Sequence, residues 1–116
     1  DEVNMRTDGT EEREFLYAED CCEALDALMI NYENVRNEEE LHITSFVSST
    51  ILDVANIISN ITKRGVKFIP SNKIDNIQLN SKNKASKIIK KWWKPKTSLE
   101  EGIKKVWDQI EARKQS

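Results

Sequence analysis

Residues 8–32 read DGTEEREFLYAEDCCEALDALMINY, and they carry the clearest secondary-structure signals of the chain. Apolar and aromatic residues alternate from Arg13 to Tyr17, which predicts a short β-strand. Asp20 follows at a position that suits a helix N-cap. Beyond Asp20, apolar side chains recur at helical spacing, and they are Cys21, Cys22, Leu25, Leu28, Met29 and Tyr32. The segment therefore predicts a strand followed by an amphipathic helix.

Two further segments predict strands, and a third predicts a brief one. Leu41–Phe46 and Val66–Ile69 are rich in apolar and β-branched residues, and Pro70 closes the second of them. A fourth strand, shorter than the others, is expected around Ile77–Leu79. We therefore expect three or four short strands in all.

Three more helices are predicted after the first one. Two of them begin at capping boxes, in which a hydroxyl side chain and an acidic side chain three residues later accept backbone N–H groups of the first turn. The two pairs are Thr50 with Asp53 and Ser98 with Glu101. The helix after Thr50 should end near Gly65. Apolar residues from Ala85 to Trp93 recur at helical spacing, and Pro95 cannot continue that helix. Helices that alternate with strands predict an α/β or α+β fold with a helix-on-sheet core.

Length and charge limit the class of protein. The chain has 116 residues, which is enough for one domain (1–116) with one core. Residues 1–62 contain 15 acidic and 3 basic side chains, whereas residues 63–96 contain 11 basic and 1 acidic. Such a division is typical of an anion-binding face, or of two halves that attract each other.

Composition also indicates where the protein works. No apolar stretch is long enough to cross a bilayer, and the first residues do not have the pattern of a signal peptide. Cys21 and Cys22 are adjacent, so they do not form a disulfide framework, and a cytoplasmic, reducing compartment is the simpler interpretation. A single histidine and no second cysteine pair argue against a metal site.

The sequence lacks the common catalytic motifs. It contains no glycine-rich phosphate loop, no nucleophile elbow and no Tyr-x-x-x-Lys pair. Tyr17 and Tyr32 are followed four residues later by Cys21 and Arg36. We therefore predict no catalytic residues and no cofactor-binding residues within this chain.

Three features remain as candidates for binding. His42 lies in a predicted strand, where a lone histidine is most often structural. The lysines of residues 63–96, with Trp92 and Trp93, could bind nucleic acid, but both indoles fall on the predicted apolar stripe, so core packing is favoured. Arg13 follows a glycine turn and enters a strand, a position suited to a bidentate grip on phosphate.

Three stretches, in order, resemble the extended short-chain dehydrogenase/reductase family, in particular its NAD-dependent nucleotide-sugar epimerases and dehydratases. The first stretch is Asp8-Gly9-Thr10-x-x-Arg13-x-Phe15-x-Tyr17-x-x-Asp20, which precedes the Cys-Cys-Glu-Ala-Leu helix. The second runs from Leu41 to Ala55, where a hydroxyl residue caps an Ile-x-x-Val-Ala helix. The third is Trp93-Lys94-Pro95-Lys96-Thr97-Ser98-Leu99-Glu100-Glu101-Gly102-Ile103.

The resemblance implies a division of labour. In the family, an N-terminal Rossmann domain binds NAD(P) and carries a catalytic Tyr-Lys pair, and a smaller C-terminal lobe binds the nucleotide sugar. The family's Arg-x-Phe arginine, which contacts the diphosphate, corresponds to Arg13. The family's Arg-x-Gly-Asp segment corresponds to Asn72-Lys73-Ile74-Asp75, where Lys73 replaces the arginine and offers a point charge instead of a fork.

The resemblance implies that this chain is a C-terminal substrate-binding domain without its Rossmann domain. Arg13, Lys73 and Asn72 would then bind a nucleotide-diphosphate sugar, and NAD(P) would bind only to the intact enzyme. An isolated lobe should expose the face that meets the missing domain, so self-association through that face is also expected. A stand-alone binding module of the same fold and a nucleic-acid binder that uses residues 63–96 are the alternatives.

Overall fold

A computed structural model describes residues 2–37, 41–74 and 89–115 of the chain. The strands are β1 (Glu2–Asn4), β2 (Glu12–Glu14), β3 (Ser48–Thr50) and β4 (Lys67–Ile69). The helices are α1 (Ala18–Ile30), α2 (Tyr32–Val35), α3 (Ile51–Thr62) and α4 (Leu99–Lys114), with a 3₁₀ turn at Ile89–Lys91. This mixture of helices and short strands confirms the α/β class.

The strands form two separate pairs. β1 and β4 are parallel, with Val3 opposite Phe68. Their pairing continues beyond the strands, because the Met5 N–H donates to the Ile69 carbonyl at 2.8 Å and the Ser71 N–H donates to the Thr7 carbonyl at 3.0 Å. β2 and β3 are antiparallel, and Arg13 lies opposite Ser49 in this pair.

Helices α3 and α4 begin where the capping boxes predict. The Thr50 hydroxyl accepts the Asp53 N–H, and the Asp53 carboxylate accepts the Thr50 N–H, both at 3.0 Å. The Ser98 hydroxyl accepts the Glu101 N–H at 3.2 Å. Each bond satisfies a backbone donor that the first helical turn would otherwise leave without a partner.

Helices α3 and α4 pack side by side and run in the same direction. Their first turns both border one shallow cavity, and at the other end the Arg64 guanidinium donates to Glu111 at 2.9 Å. Arg64 also lies over the Trp107 ring, 4.8 Å from its centroid. Arg64 thus links the C-terminal ends of both helices, and its positive charge is favourable there because the C-terminal end of a helix dipole is negative.

The core lies between α1 and the segment before α4. Its buried members are Ala24, Ile89 and Trp93. Partly buried side chains pack against them, and these are Leu16, Ala27, Leu28, Ile43 and Phe46. Trp93 is therefore a core residue, as the apolar stripe predicts. Residues 75–88, which include the predicted Ile77–Leu79 strand and the first four residues of the predicted 85–93 helix, lie outside the described residues.

Two predicted strands are wrong, the first in its bounds and the second because its residues do not form a strand. The first ends at Glu14, before the aromatic residues that suggested it. Leu41–Phe46 is not a strand, and the strand that follows it is β3. The physical reason is a turn built by hydroxyl side chains: Thr44 Oγ1 accepts the Phe46 N–H at 2.7 Å, and Phe46 has a positive φ of 57°. An apolar run cannot reveal such a turn.

Helix α1 begins earlier and packs differently than predicted. Its N-cap is Tyr17, so Asp20 lies inside the first turn and does not cap the helix. The buried side of α1 contains Asp20 and Ala24. Leu25 and Met29 of the predicted core stripe are 51% and 75% exposed. The apolar residues do lie on one helix, but some of them face outward. Helix α3 ends at Thr62, with Lys63 in the left-handed conformation, slightly before the predicted stop.

Candidate functional site

A tight turn at residues 8–10 precedes the strand that carries Arg13. The Asp8 carboxylate accepts the Thr10 N–H at 3.0 Å and the Thr10 hydroxyl at 2.7 Å. Gly9 has a φ of +80°, and its N–H donates to the Thr7 hydroxyl at 3.2 Å. Side chains on both sides of Gly9 therefore fix the turn, and the turn fixes where β2 starts.

The hydrogen bonds to Asp8 hold the pKa of its carboxyl below the ordinary value of 3.8, and the Thr10 backbone N–H is the larger cause. A carboxyl whose folded pKa is lowered stabilises the fold above its unfolded pKa, and that contribution disappears as the pH falls through the folded value. In the Thr10→Val variant, which keeps only the backbone bond, we expect the Asp8 pKa to rise toward 3.8. An NMR titration of the Asp8 carboxyl measures this; equal pKa values in both proteins would contradict it.

Arg13 lies at the centre of β2, where its backbone is fixed opposite Ser49. Its side chain is half-buried, and Nη1 donates to the Glu12 carbonyl at 2.8 Å. The guanidinium is thus held close to the strand by its own neighbour. A guanidinium positioned in this way loses little side-chain entropy when it binds a forked anion such as a phosphate.

Lys73 and Asn72 lie next to the turn and are exposed. The Lys73 carbonyl accepts the Asp8 N–H at 2.7 Å, and the Lys73 N–H donates to the Ser71 hydroxyl at 3.2 Å. The structure therefore brings Lys73 and Asn72 to the turn that leads into β2. The turn residue that Lys73 contacts is Asp8, which lies five residues before Arg13 in the sequence.

Asp20 has a structural role that the sequence pattern does not reveal. Its side chain is 2% exposed, and Oδ2 accepts the backbone N–H groups of Lys96 at 3.2 Å and Thr97 at 2.9 Å. A carboxylate on α1 thereby holds the segment just before α4. The only sequence signal is an acidic residue directly before the apolar stripe of the predicted helix, which equally fits a helix cap.

The other candidates have surroundings that suit packing. Trp93 is 6% exposed, so its indole is not available to stack on a base. Trp92 is half-buried and follows the 3₁₀ turn. His42 is half-buried in the segment before β3 and not in a strand. These placements favour the core interpretation of the tryptophans over nucleic-acid binding.

Three cavities of the described part of the structure are lined by residues other than Arg13. The first, about 430 Å³, is apolar and lies between residues 15–18, α3 and α4. The second, about 290 Å³, lies between Phe15, Ser49 and Lys96. The third, about 440 Å³, lies between α3 and the first turn of α4.

Within residues 2–37, 41–74 and 89–115, no three His, Cys, Asp or Glu side chains come together in a way that could hold a metal ion. None of the helices in the same residues combines the length and the apolar character that crossing a membrane requires.

Among curated proteins, the chain is similar to GDP-L-fucose synthase of Sinorhizobium fredii, with 31% identity over 101 residues. That match covers 86% of this chain but 31% of the synthase. No family model matches the chain. The chain thus spans about a third of the length of the curated relative that it matches.

Solved structures of nucleotide-sugar enzymes share the fold. A GDP-6-OMe-4-keto-L-xylo-heptose reductase from C. jejuni matches 97% of this chain with a TM-score of 0.81 and 20% identity. UDP-glucose 4-epimerase from Thermotoga maritima, solved with UDP-glucose, matches 97% with a TM-score of 0.75 and 21% identity. The chain covers 34% of the reductase and 36% of the epimerase.

Proposed function

We propose that this chain, which belongs to the extended short-chain dehydrogenase/reductase family, is the C-terminal nucleotide-sugar-binding lobe of an NAD(P)-dependent enzyme. The whole enzyme would be an epimerase, a dehydratase or a reductase that acts on a nucleoside-diphosphate sugar. The relatives that share the fold act on such sugars, and each of those described above is about three times as long as this chain. The remaining two-thirds would then supply the chemistry.

The observation that carries this proposal is the fixed position of Arg13. The residue lies on a paired strand, directly after a turn held by Asp8, Gly9 and Thr10. A diphosphate carries two groups of non-bridging oxygens, and a guanidinium fork matches one of them with two parallel N–H bonds. We assign this contact to Arg13, with Lys73 as a flexible second cation at the turn and Asn72 as an amide donor beside it.

The sequence of this chain has no glycine-rich phosphate loop of the kind that a nicotinamide-cofactor site uses. A pyrophosphate-binding site needs a glycine-rich turn after a strand, and the three glycines of the chain lie at Gly9, Gly65 and Gly102, far apart in sequence. NAD(P), which would accept and return a hydride, is therefore assigned to the remainder of the enzyme. This chain would position the sugar against that cofactor and exclude water.

Arg13 provides the test. In the intact enzyme, we expect Arg13→Ala to raise the dissociation constant for a nucleoside-diphosphate sugar by roughly 10- to 100-fold, because a charged hydrogen bond contributes about 1.5–3 kcal/mol. Arg13→Lys keeps the charge but loses the fork, so a smaller increase is expected. Calorimetric titration with UDP-glucose and with a GDP-linked hexose measures both constants.

Arg36 offers a matched control, because it is an exposed arginine that pairs with Glu33 at 3.2 Å on a separate helix. Arg36→Ala should leave the dissociation constant unchanged. In steady-state kinetics, Arg13→Ala should raise KM while kcat falls little, since the contact exists in both the ground state and the transition state. Affinity within twofold of the wild type in the Arg13→Ala variant would remove Arg13 from the binding site.

A further inference from the structure

Strand β2 lacks an apolar pattern that would set its register. It reads Glu12-Arg13-Glu14 and pairs with Ser48-Ser49-Thr50 of β3, and all six residues are half-buried. The register of a strand is strongly specified where one of its faces is apolar and buried, and weakly specified where both faces are polar. Two strands of three residues are also not stable by themselves. Contacts outside this pair must therefore hold Arg13 at its place opposite Ser49.

The register of β2 decides which charge is presented at the position of Arg13. The residues on either side of it, Glu12 and Glu14, are both acidic. Successive side chains of a strand point to opposite faces, so a slip of one residue would put a carboxylate where the guanidinium had been. A guanidinium binds phosphate and a carboxylate repels it. Such a slip would therefore convert a phosphate-binding position into one that rejects phosphate.

Two hydrogen bonds from hydroxyl groups to carboxylates bracket Arg13. Before it, the Thr7 hydroxyl donates to Glu11 Oε1 at 2.6 Å. After it, the Thr44 hydroxyl donates to Glu14 Oε2 at 2.5 Å. We call these bonds the Glu11 lock and the Glu14 lock. Both join residues of this chain to each other, so they do not depend on what the rest of the enzyme covers.

Each lock ties β2 to a segment whose backbone is held separately. The Thr7 carbonyl accepts the Ser71 N–H at 3.0 Å, which makes Thr7 part of the extended pairing of β1 with β4. Glu11 is 6% exposed, and its carbonyl accepts the Ile51 N–H at 3.2 Å. Thr44 Oγ1 also accepts a backbone N–H of the turn before β3. Hydrogen bonds to a carboxylate are stronger than neutral ones, and a slip of β2 would break both locks.

We propose that Glu11 and Glu14 are positioning residues, which hold β2 in the register that presents Arg13 to the diphosphate. Their role rests on the proposed function, in which Arg13 makes the phosphate contact, and neither glutamate touches the ligand. Loss of one lock should leave most molecules in register, whereas loss of both should leave a minority. The apparent dissociation constant is the intrinsic constant divided by the competent fraction. The effect of losing both locks should therefore exceed the product of the two single effects.

Valine variants of the two hydroxyl donors test the proposal in the intact enzyme. Thr7→Val and Thr44→Val each remove a donor with little change of shape, and calorimetric titration with UDP-glucose measures the dissociation constant. We expect a rise of up to about threefold for each variant and of at least about 10-fold for the double variant, with little change in kcat. Thr7→Ser and Thr44→Ser keep the hydroxyl groups and should bind like the wild type.

Thr62→Val is the matched control. The Thr62 hydroxyl, at the last residue of α3, has no hydrogen-bond partner among the described residues, so this substitution should leave the dissociation constant unchanged.

The same substitutions in an Arg13→Ala enzyme separate positioning from a general loss of structure. If the locks act through Arg13, the double valine variant should not raise the dissociation constant further in that background, because no guanidinium remains to be misplaced. A purely structural role would raise the constant by the same factor in both backgrounds. That result would overturn the proposal.

Hydrogen exchange at the Ile51 N–H reports on β2 directly, because this group is bonded to the Glu11 carbonyl. We expect faster exchange in the double valine variant than in the double serine variant. Equal exchange rates would show that the locks do not hold the strand. If Arg13→Ala alone leaves the affinity within twofold of the wild type, the proposed function fails instead, and exchange at Ile51 still decides whether the locks fix β2.

Discussion

Replacing Asp20 with alanine is expected to lower the free energy of unfolding by about 3 kcal/mol. The buried carboxylate accepts the N–H groups of Lys96 and Thr97, and charged hydrogen bonds of this kind contribute about 1.5–3 kcal/mol each. Removing the acceptor leaves two backbone donors without a partner in a part-buried position. Urea unfolding followed by circular dichroism measures the loss, provided the denaturant slope is unchanged.

Two comparisons separate this effect from a general effect of charge. Asp20→Asn retains an acceptor oxygen but not the charge, so we expect about half of the loss, since neutral hydrogen bonds contribute about 1 kcal/mol. Glu19→Ala removes an exposed acid from the same helical turn, and we expect a change within about 1 kcal/mol because only the helix dipole is affected. Equal losses for Asp20→Ala and Glu19→Ala would mean that the bonds to residues 96 and 97 contribute nothing.

The contrast between Asp20 and the capping boxes shows which features a sequence can predict. Thr50 and Asp53 are three residues apart, so their reciprocal bonds are determined by local chemistry and follow from the pattern alone. The bonds of Asp20 reach across 76 and 77 residues. A pattern within one helix cannot indicate which distant backbone groups will arrive beside it.

The sequence pattern does not predict which side of α1 faces outward, for a related reason. A helical stripe shows that apolar side chains share a face, but it does not show what covers that face. Here Ala24 meets the core, whereas Met29 on the neighbouring side remains open. The direction of packing depends on Trp93 and Ile89, which come from a distant segment.

The surroundings of Arg13 and Lys73 depend on local and on distant contacts, and only the local ones follow from the sequence. The Gly9 turn and a strand after it follow from residue types, but the pattern predicts Arg13 as the first residue of that strand, whereas Arg13 is the middle residue of β2. The position of Lys73 beside Asp8 comes from the parallel pairing of β1 with β4, a contact between segments more than 60 residues apart. Short strands of three residues carry too little pattern to predict such a pairing.

Replacing Gly9 with alanine is expected to destabilise the protein by about 3 kcal/mol and to weaken nucleotide-sugar binding with it. The φ of +80° disfavours any Cβ by about 1–2 kcal/mol. A Cβ at this position would also lie 2.7 Å from both Leu52 Cγ and Met5 Cε, an overlap that costs about 1–3 kcal/mol. Because the Gly9 carbonyl accepts the Leu52 N–H at 3.0 Å, movement away from this overlap would displace the start of β2, and Arg13 with it.

Gly65→Ala isolates the conformational part of this loss. Gly65 also has a positive φ, 64°, but nothing lies within 4 Å of the position that a Cβ would take. We therefore expect Gly65→Ala to cost only the backbone part, about 1–2 kcal/mol, and to leave the dissociation constant for UDP-glucose unchanged. Met5→Ala combined with Gly9→Ala should recover part of the overlap energy, which a double-mutant cycle measures. If Gly9→Ala and Gly65→Ala lower the free energy of unfolding by the same amount, the contacts with Leu52 and Met5 do not hold the turn. Arg13 would then be positioned by its pairing with β3 alone.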